Sequence, residues 1–394
     1  MRTLSGILEW PRRAEGRIRQ LNGTVPQVRS DDPFVPVVFG DQYPLRNGLH
    51  VTVEVDEKKS RRRRRGGGRN VRTVVERFVE IEGMSPEEFQ NAKPFEELTS
   101  IDPAPRMTLE YKGCPPANRL IDLFCPIGYG QRGLIVSPPK AGKTTLLKQI
   151  TTGILTNHPE VFVFILLVDE RPEEVTDFRR SFVGEDKPWN AERVEVLASS
   201  NDHEVDRHIS VCTSCIERAK RMVEAGKHVV VVMDSLTRVG RAFNRSNKHA
   251  SSGRTMSGGI DSKALEVPKQ MFGAARNTEE GGSLTIIATC LVDTGSQGDQ
   301  LIFEEFKGTG NMELILDRKV AERRLFPAIN LAASGTRKED LLMGEQELAT
   351  IGALRRRMLA MPPPQQIEQL LAALDRFETN EQLVGLTAKK AQAS

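Results

Sequence analysis

SPPKAGKTT, residues 137–145, stands between an apolar stretch, GLIV (133–136), and a helical pattern, TTLLKQI (144–150). Gly142, Lys143 and Thr144, placed where a strand gives way to a helix, are the elements of a phosphate loop. Backbone N–H groups across Lys140, Ala141, Gly142, Lys143, Thr144 and Thr145 can curl around phosphates at the helix start, where the helix dipole favours negative charge. Lys143 is expected to reach the terminal phosphates of a nucleotide, and the Thr144 hydroxyl to ligate Mg2+. The strict pattern has glycine where Ser137 stands, and Pro138 and Pro139 carry no amide N–H. The strand-loop-helix context carries the reading all the same.

Outward from this loop, VFVFILLVDE (161–170), HVVVVMD (228–234) and SLTIIATCL (283–291) are short and apolar, as buried parallel strands are. Helical stretches such as EVDRHISVCTSCIERAKRMVEAG (204–226) separate them, so residues 116–394 read as a doubly wound α/β domain. EQELATIGALRRRMLAM (345–361) and PPPQQIEQLLAALDRF (362–377) read as two closing helices with a proline break. Two strands end in carboxylates. Asp234 is placed to hold the Mg2+ shell through water, and Glu170 to act as the base that polarises an attacking water. Taken singly, each could be a helix cap; the phosphate loop on the same sheet edge favours the catalytic reading.

The first 82 residues differ in kind. SGILEW, GRIRQL, FVPVVFG and GLHVTVEV are short β segments broken by glycine, proline and asparagine, and VRTVVERFVEI resumes the pattern. They suit a small OB-fold barrel, cold-shock-like in size. Between them KKSRRRRRGGGRNVR (58–72) holds nine basic residues and no acidic one, although the whole chain carries only +3. Such a block is a solvated loop, here the tip of a hairpin, and Arg61, Arg62, Arg63, Arg64 and Arg65 would attract a phosphate backbone. A merely solubilising loop is the alternative. The proline-rich residues 83–115 read as a connector.

Length and composition bound the rest. At 394 residues the chain should hold two or three domains. Its longest apolar run, Val161 to Val168, falls far short of the roughly 20 residues of a membrane span. No secretory pattern opens the sequence, so a cytoplasmic protein without a membrane partner is expected. Five cysteines make an unpaired number and suggest reduced thiols. Cys212 and Cys215 sit in a helical pattern and read as structural.

Several blocks carry a family resemblance. GQRGLIVSPPKAGKTTLL, LLVDERPEEVTDF, MDSLTRVGRAFN, GGID with FGAARN, EGGSLTIIAT, EEFKGTGNMEL, FPAIN and SGTRKEDLL together resemble the Rho family of bacterial transcription termination factors, over roughly residues 110–345. The resemblance implies a RecA-like P-loop ATPase, a homohexameric ring with ATP at subunit interfaces, and single-stranded RNA threaded through its centre. It implies 5′ to 3′ translocation and release of RNA from the RNA polymerase elongation complex. It assigns Gly128, Tyr129, Gly130, Gln131, Arg132 and Gly133 to the surroundings of the nucleotide, Phe326 to adenine stacking and Arg171 to γ-phosphate sensing. Arg337 matches an arginine finger reaching into the neighbour's site, with Arg324 assisting. Arg254, Gly258 and Gly259, within RTMSGGID (254–261), match one RNA-facing pore loop, and TGSQGDQ (294–300) matches the other.

Departures are equally specific. Gln297 stands where the family commonly has lysine, which weakens the electrostatic part of RNA contact. The barrel stretch that should offer stacking aromatics reads EGRIRQL (15–21), leaving Trp10, Phe34, Phe39 and Tyr43 as candidate platforms or core. The family's small N-terminal helical piece is not expected. Two other readings stay open: an RNA-binding assembly protein with a regulatory ATP site, and a ring ATPase acting on DNA or a rotary shaft.

Overall fold

The computed structural model describes residues 2–385, apart from 12–13, 20–28, 30 and 60–70. The arginine run 61–65 therefore lies outside the described residues. Strands β1 (Arg2–Glu9), β2 (Gly16–Arg19), β3 (Phe34–Val35), β4 (His50–Lys59) and β5 (Val71–Ile81) close into a barrel in the order β1-β2-β3-β5-β4. Alternation drives the closure: Leu8, Ile18, Val51, Val53, Val75 and Ile81 point inward, each at most 2% exposed. β4 and β5 stay paired until Lys59 stands opposite Val71, at the base of the arginine segment.

FVPVVFG, expected as a strand, contributes only Phe34–Val35. Pro36 has no N–H to give a ladder, and the chain turns into the short helix α1 (Phe39–Gln42). Residues 83–115 are not a plain connector either. They hold α2 (Pro86–Phe89) and β6 (Ser100–Ile101), and β6 joins the large sheet.

α3 (Pro116–Phe124) opens the second unit. It continues β7 (Arg132–Ser137), α4 (Lys143–Asn157), β8 (Val161–Glu170), α5 (Pro172–Phe182), β9 (Val194–Ser200), α6 (Val205–Glu224), β10 (His228–Asp234) and α7 (Leu236–Arg245). Next come α8 (Glu266–Gly273), β11 (Arg276–Thr278), β12 (Ser283–Leu291), α9 (Gln297–Lys307), β13 (Met312–Ile315), α10 (Arg318–Glu322) and β14 (Gly335–Thr336). The sheet runs β14-β13-β7-β12-β10-β8-β9, parallel from β13 to β9 and edged by antiparallel β14, while β11 links β12 to β6. Alternate residues of β8 feed two cores: Val163, Ile165 and Leu167 pack with α3, α4 and α5, and Phe164, Leu166 and Val168 with α6 to α9. Helices α11 (Glu345–Met358), α12 (Pro363–Leu374) and α13 (Asn380–Leu383) finish the chain, α11 and α12 breaking at the expected prolines. Cys212 and Cys215 are free thiols buried in α6. Among the described residues no helix is long and apolar enough to cross a membrane.

The barrel is seated on α6. Arg46 pairs with Glu224 at 2.8 Å, Glu224 also holds Arg221 at 3.1 Å, and Arg218 pairs with the buried Glu82. Gly48 has φ of +85°, and a Cβ there would come within 2.7 Å of the Glu217 backbone. Only glycine lets the barrel loop lie this close to the helix.

Candidate nucleotide and RNA site

β7 ends at Ser137, and the loop turns into α4 through Lys140, at φ +64°, and Gly142, at φ +88°. No side chain caps α4, so its first-turn N–H groups are available to an anion. Ala141 is buried, Thr144 half-buried, and Lys140 and Thr145 exposed. Phe326, 42% exposed, lies against the loop, with ring atoms 3.3 Å from where a Gly142 Cβ would stand. It closes a cavity of about 330 Å³ together with Ala117, Leu146, Leu316 and Pro327. A mostly apolar slot beside a phosphate loop suits a flat base.

The carboxylates meet the lysine. The Lys143 ammonium contacts Asp234 and lies 3.8 Å from Glu170, and Arg238 approaches Glu170 to 3.2 Å. Thr289 donates its hydroxyl to Asp234 Oδ1 at 2.9 Å. Glu170 is turned to this cluster by a bulge: Asp169 has φ of +55°, and the pairing with β9 shifts between Val168 and Glu170. Burial pushes the Glu170 carboxyl well above the usual carboxylate range. The neighbouring Glu174 carboxyl and the charge of Asp234 add to this, while Lys143 and Arg238 pull the other way. Both Glu170 oxygens and Asp234 Oδ2 are buried without a hydrogen-bond partner. Such orphaned acceptors beside the Thr144 position suit a hydrated divalent cation and a water to be activated. Arg171 follows at the N-cap of α5, exposed.

Arg238 and Thr289 are the site residues that sequence reasoning missed. Arg238 stands four residues beyond Asp234, in the first turn of α7 after β10, and that closeness to a strand-end carboxylate is the signal that could have found it. Thr289 gave no signal, because only sheet pairing brings β12 beside β10.

The expected nucleotide residues do not all converge. Gly128–Gly133 lie at the start of β7 and the phosphate loop at its end, six strand residues or about 20 Å away. Their roles there are structural: Gln131 accepts from the Gly128 N–H at 3.1 Å, and Gly130 abuts the Asn277 backbone. Arg132 is held by the carbonyls of Thr309 and Ala275. Arg337 lies at this same far edge, its N–H donating to Asn311 O, whose own N–H donates to Arg132 O. Burial, and after it the charges of Arg276 and Arg337, lower the pKa of Arg132. Arg324, expected beside Arg337, is instead two residues from Phe326 at the phosphate-loop edge, exposed and at φ +59°. Antiparallel β14 carries Arg337 back to the opposite edge, which is why one chain cannot bring the two arginines together.

The two glycine-rich loops touch. A Cβ on Gly258, at φ +71°, would stand 2.3 Å from the Gly298 nitrogen and 2.6 Å from the Gln297 carbonyl carbon. Arg254, Gly259 and Gln297 are exposed around that contact. Behind it, Arg241 grips Asp299 with Nε 2.8 Å from the carboxylate. Thus α7 reaches Glu170 through Arg238 and the base of the second loop through Arg241, one turn apart.

On the barrel, Trp10 belongs to the core cluster and Phe39 and Tyr43, half-buried, pack against it edge-on to Phe78. Phe34 is different, with the guanidinium of Arg72 3.6 Å and that of Arg17 4.5 Å from its ring centre. The non-aromatic EGRIRQL stretch therefore supplies a cation to the one platform outside the core.

Comparison with known proteins agrees with this architecture. Residues 117–336 match the ATP synthase alpha/beta family, nucleotide-binding domain. A solved ATPase from the type III secretion system of pathogenic bacteria shares the fold, with a TM-score of 0.58 at 23% identity over 68% of this chain and 72% of that one. Transcription termination factor Rho of Borreliella burgdorferi is 54% identical over 292 residues, 74% of this chain and 54% of that protein. The Aquifex aeolicus Rho is 52% identical over 310 residues, 78% and 69% of the two chains. The Streptomyces lividans Rho is 47% identical over 354 residues, 90% and 48%. The chain spans about half to two thirds of the length of these relatives. With a closed five-stranded barrel docked on a RecA-like P-loop sheet, and this identity over most of its length, the chain belongs to the transcription termination factor Rho family.

Proposed function

We propose that this chain is the subunit of a ring-forming, RNA-dependent ATPase that moves 5′ to 3′ along a transcript, unwinds RNA–DNA hybrids and releases RNA from RNA polymerase. The observation that carries the reading is the division of the hydrolytic groups between two ends of one sheet: Lys143, Glu170, Asp234 and Arg238 at one, Arg337 at the other. A phosphate loop and an arginine finger that cannot meet within a chain are complementary between copies, and a homohexamer satisfies both. Gly128–Gly133, on the Arg337 edge, would then border the neighbour's nucleotide. Arg324 and Arg171 would flank the chain's own.

When bound, Mg2+ would neutralise charge between β- and γ-phosphates, held by Thr144 and, through water, by Asp234. Glu170 accepts a proton from the attacking water, its orientation fixed by Arg238. Lys143 holds the terminal phosphates, and Phe326 stacks on the base. Arg254, Gly258, Gly259 and Gln297 contact single-stranded RNA, and the Arg238–Arg241 face of α7 links RNA at the loops to the Glu170 carboxylate. The arginine run 61–65 draws RNA to the barrel by phosphate attraction, with Phe34 as a cation-backed platform.

Steady-state ATP hydrolysis with and without RNA and single-stranded DNA, at low and moderate salt, tests this. Stimulation by RNA and not DNA, falling steeply with salt, is expected. Hydrolysis indifferent to RNA would sink the motor reading in favour of an assembly protein with a regulatory ATP site. RNA binding that is insensitive to salt would remove the arginine run from the account.

A further inference from the structure

A second cavity, of about 230 Å³, lies in the seam between the barrel and the sheet, away from the phosphate loop and the glycine-rich loops. Its walls are apolar: Phe162 and Phe164 of β8, Leu197 of β9, Val211 and Met222 of α6, and Ile7 of the barrel. Two carboxylates interrupt them, Glu192 and, on β9, the half-buried Glu195. Glu192 is the exposed residue of the lining, so the mouth lies there.

The two arginines around this cavity are occupied. Arg218 donates to Glu82 and to the Gly48 carbonyl. Arg193 donates to the Val161 carbonyl at 3.1 Å and to that of His158, and the Lys227 ammonium lies 5.0 Å from the centre of the Phe162 ring. Glu195 has no hydrogen-bond partner among the described residues. Burial pushes its carboxyl up to about 7, and the only charge acting on it is that of Arg218, which pulls it down. The other titratable groups of the lining add no cation at neutral pH, since burial holds the Cys215 thiol protonated and lowers the His50 pKa. A half-buried carboxylate among aromatic walls, with both arginines of the lining engaged and the Lys227 ammonium set over the Phe162 ring, is an acceptor in want of a donor.

We propose that this seam cavity binds a small planar organic cation, an aromatic amidinium or protonated aminoheterocycle, whose N–H edge pairs with Glu195 while its ring lies among Phe162, Phe164 and Leu197. Size, wall chemistry and charge each narrow the class. An apolar cavity of about 150 Å³ holds benzene, so this one holds a single substituted ring. An anion would face Glu195 across low-dielectric walls, and a ring without donors would bury the carboxylate unpaired. Paired N–H donors on a plane match both carboxylate oxygens. The occupant would touch β1, β8, β9 and α6 at once, and so would stabilise the seated barrel by mass action.

Benzamidine and its neutral isostere benzamide are the probes, titrated calorimetrically into the full chain. Benzamidine is expected to bind at least about tenfold more tightly than benzamide. Its affinity should rise between about pH 6 and pH 8 as the Glu195 carboxyl ionises, since benzamidine keeps its charge throughout. Glu195→Gln should close the gap between the two probes, and Ser214→Phe, which fills the cavity from α6, should abolish binding. The pH dependence and the benzamide comparison use the unaltered protein, so they decide the matter even where a variant fails to fold. Equal binding of the two probes, benzamidine binding unchanged in a folded Glu195→Gln protein, or no binding at millimolar concentration would each overturn the proposal.

Discussion

The two ends of the parallel strands are built to different plans. At the C-terminal end, Lys143, Asp234, Glu170 and Arg238 sit in mutual contact, largely buried, with opposite charges compensating. At the N-terminal end, Arg132 gathers with Arg276 and Arg337, and burial together with those two charges lowers the proton affinity of Arg132, while Arg132 and Arg276 turn nitrogens to backbone carbonyls. One end is nearly self-neutralised; the other holds uncompensated positive charge. In the proposed ring, the contrast would mean that each chain contributes half of two sites rather than one complete site.

The strongest way to break this comparison is Arg337→Ala. Hydrolysis should fall by about 10³ to 10⁵ with nucleotide binding retained, as for arginine fingers elsewhere. Mixed with Lys143→Ala subunits, also inactive alone, the variant should regain activity, because some interfaces then join an intact phosphate loop to an intact finger. Mixed assemblies that stay inactive would place Arg337 in its own chain's chemistry and end the split-site account. Glu170→Gln comes next: a loss of about 10² to 10⁴ in turnover, with affinity for ATP unchanged, read by single-turnover hydrolysis beside equilibrium binding.

Phe326→Ala should act more mildly, raising KM about tenfold with little change in kcat, since stacking is shared by ground and transition states. A smaller effect sharpens the electrostatic contrast. Glu170 has a raised pKa in the folded protein, so the folded chain binds more protons than the unfolded one between the ordinary carboxylate range and the raised value. Stability contributed by this group is therefore lost as pH climbs through that window. Glu170→Gln removes the penalty, and its melting temperature relative to the parent should rise from pH 6 to pH 9 by a few degrees. A difference independent of pH would mean that the carboxylate is ionised throughout.

Much of this was legible in the sequence because the chemistry sits where strands end. Gly142, Lys143 and Thr144 follow a strand and open a helix, and Glu170 and Asp234 close apolar runs, so local pattern located them. The barrel was legible from alternation in GLHVTVEV and VRTVVERFVEI. What failed depended on partners distant in sequence. VEVLASS was passed over as β9 because its polar end hides a short edge strand, and MELI as β13 because four residues carry little pattern. Gly128–Gly133 and Arg324 were placed by resemblance without the sheet's direction, and strand polarity decides which edge each one faces. Arg17 and Arg72 over Phe34 required the barrel to close before the cluster existed.

Gly48, pressed against the backbone of α6, has a mechanical meaning. A strand held at the barrel and drawn through the loops would load the seam in shear. A compliant hinge there would absorb the stroke as slack. The backbone-to-backbone seat, pinned at both ends by Arg46–Glu224 and Arg218–Glu82, would make the joint stiff, so that tension taken up at one unit would arrive at the other as displacement.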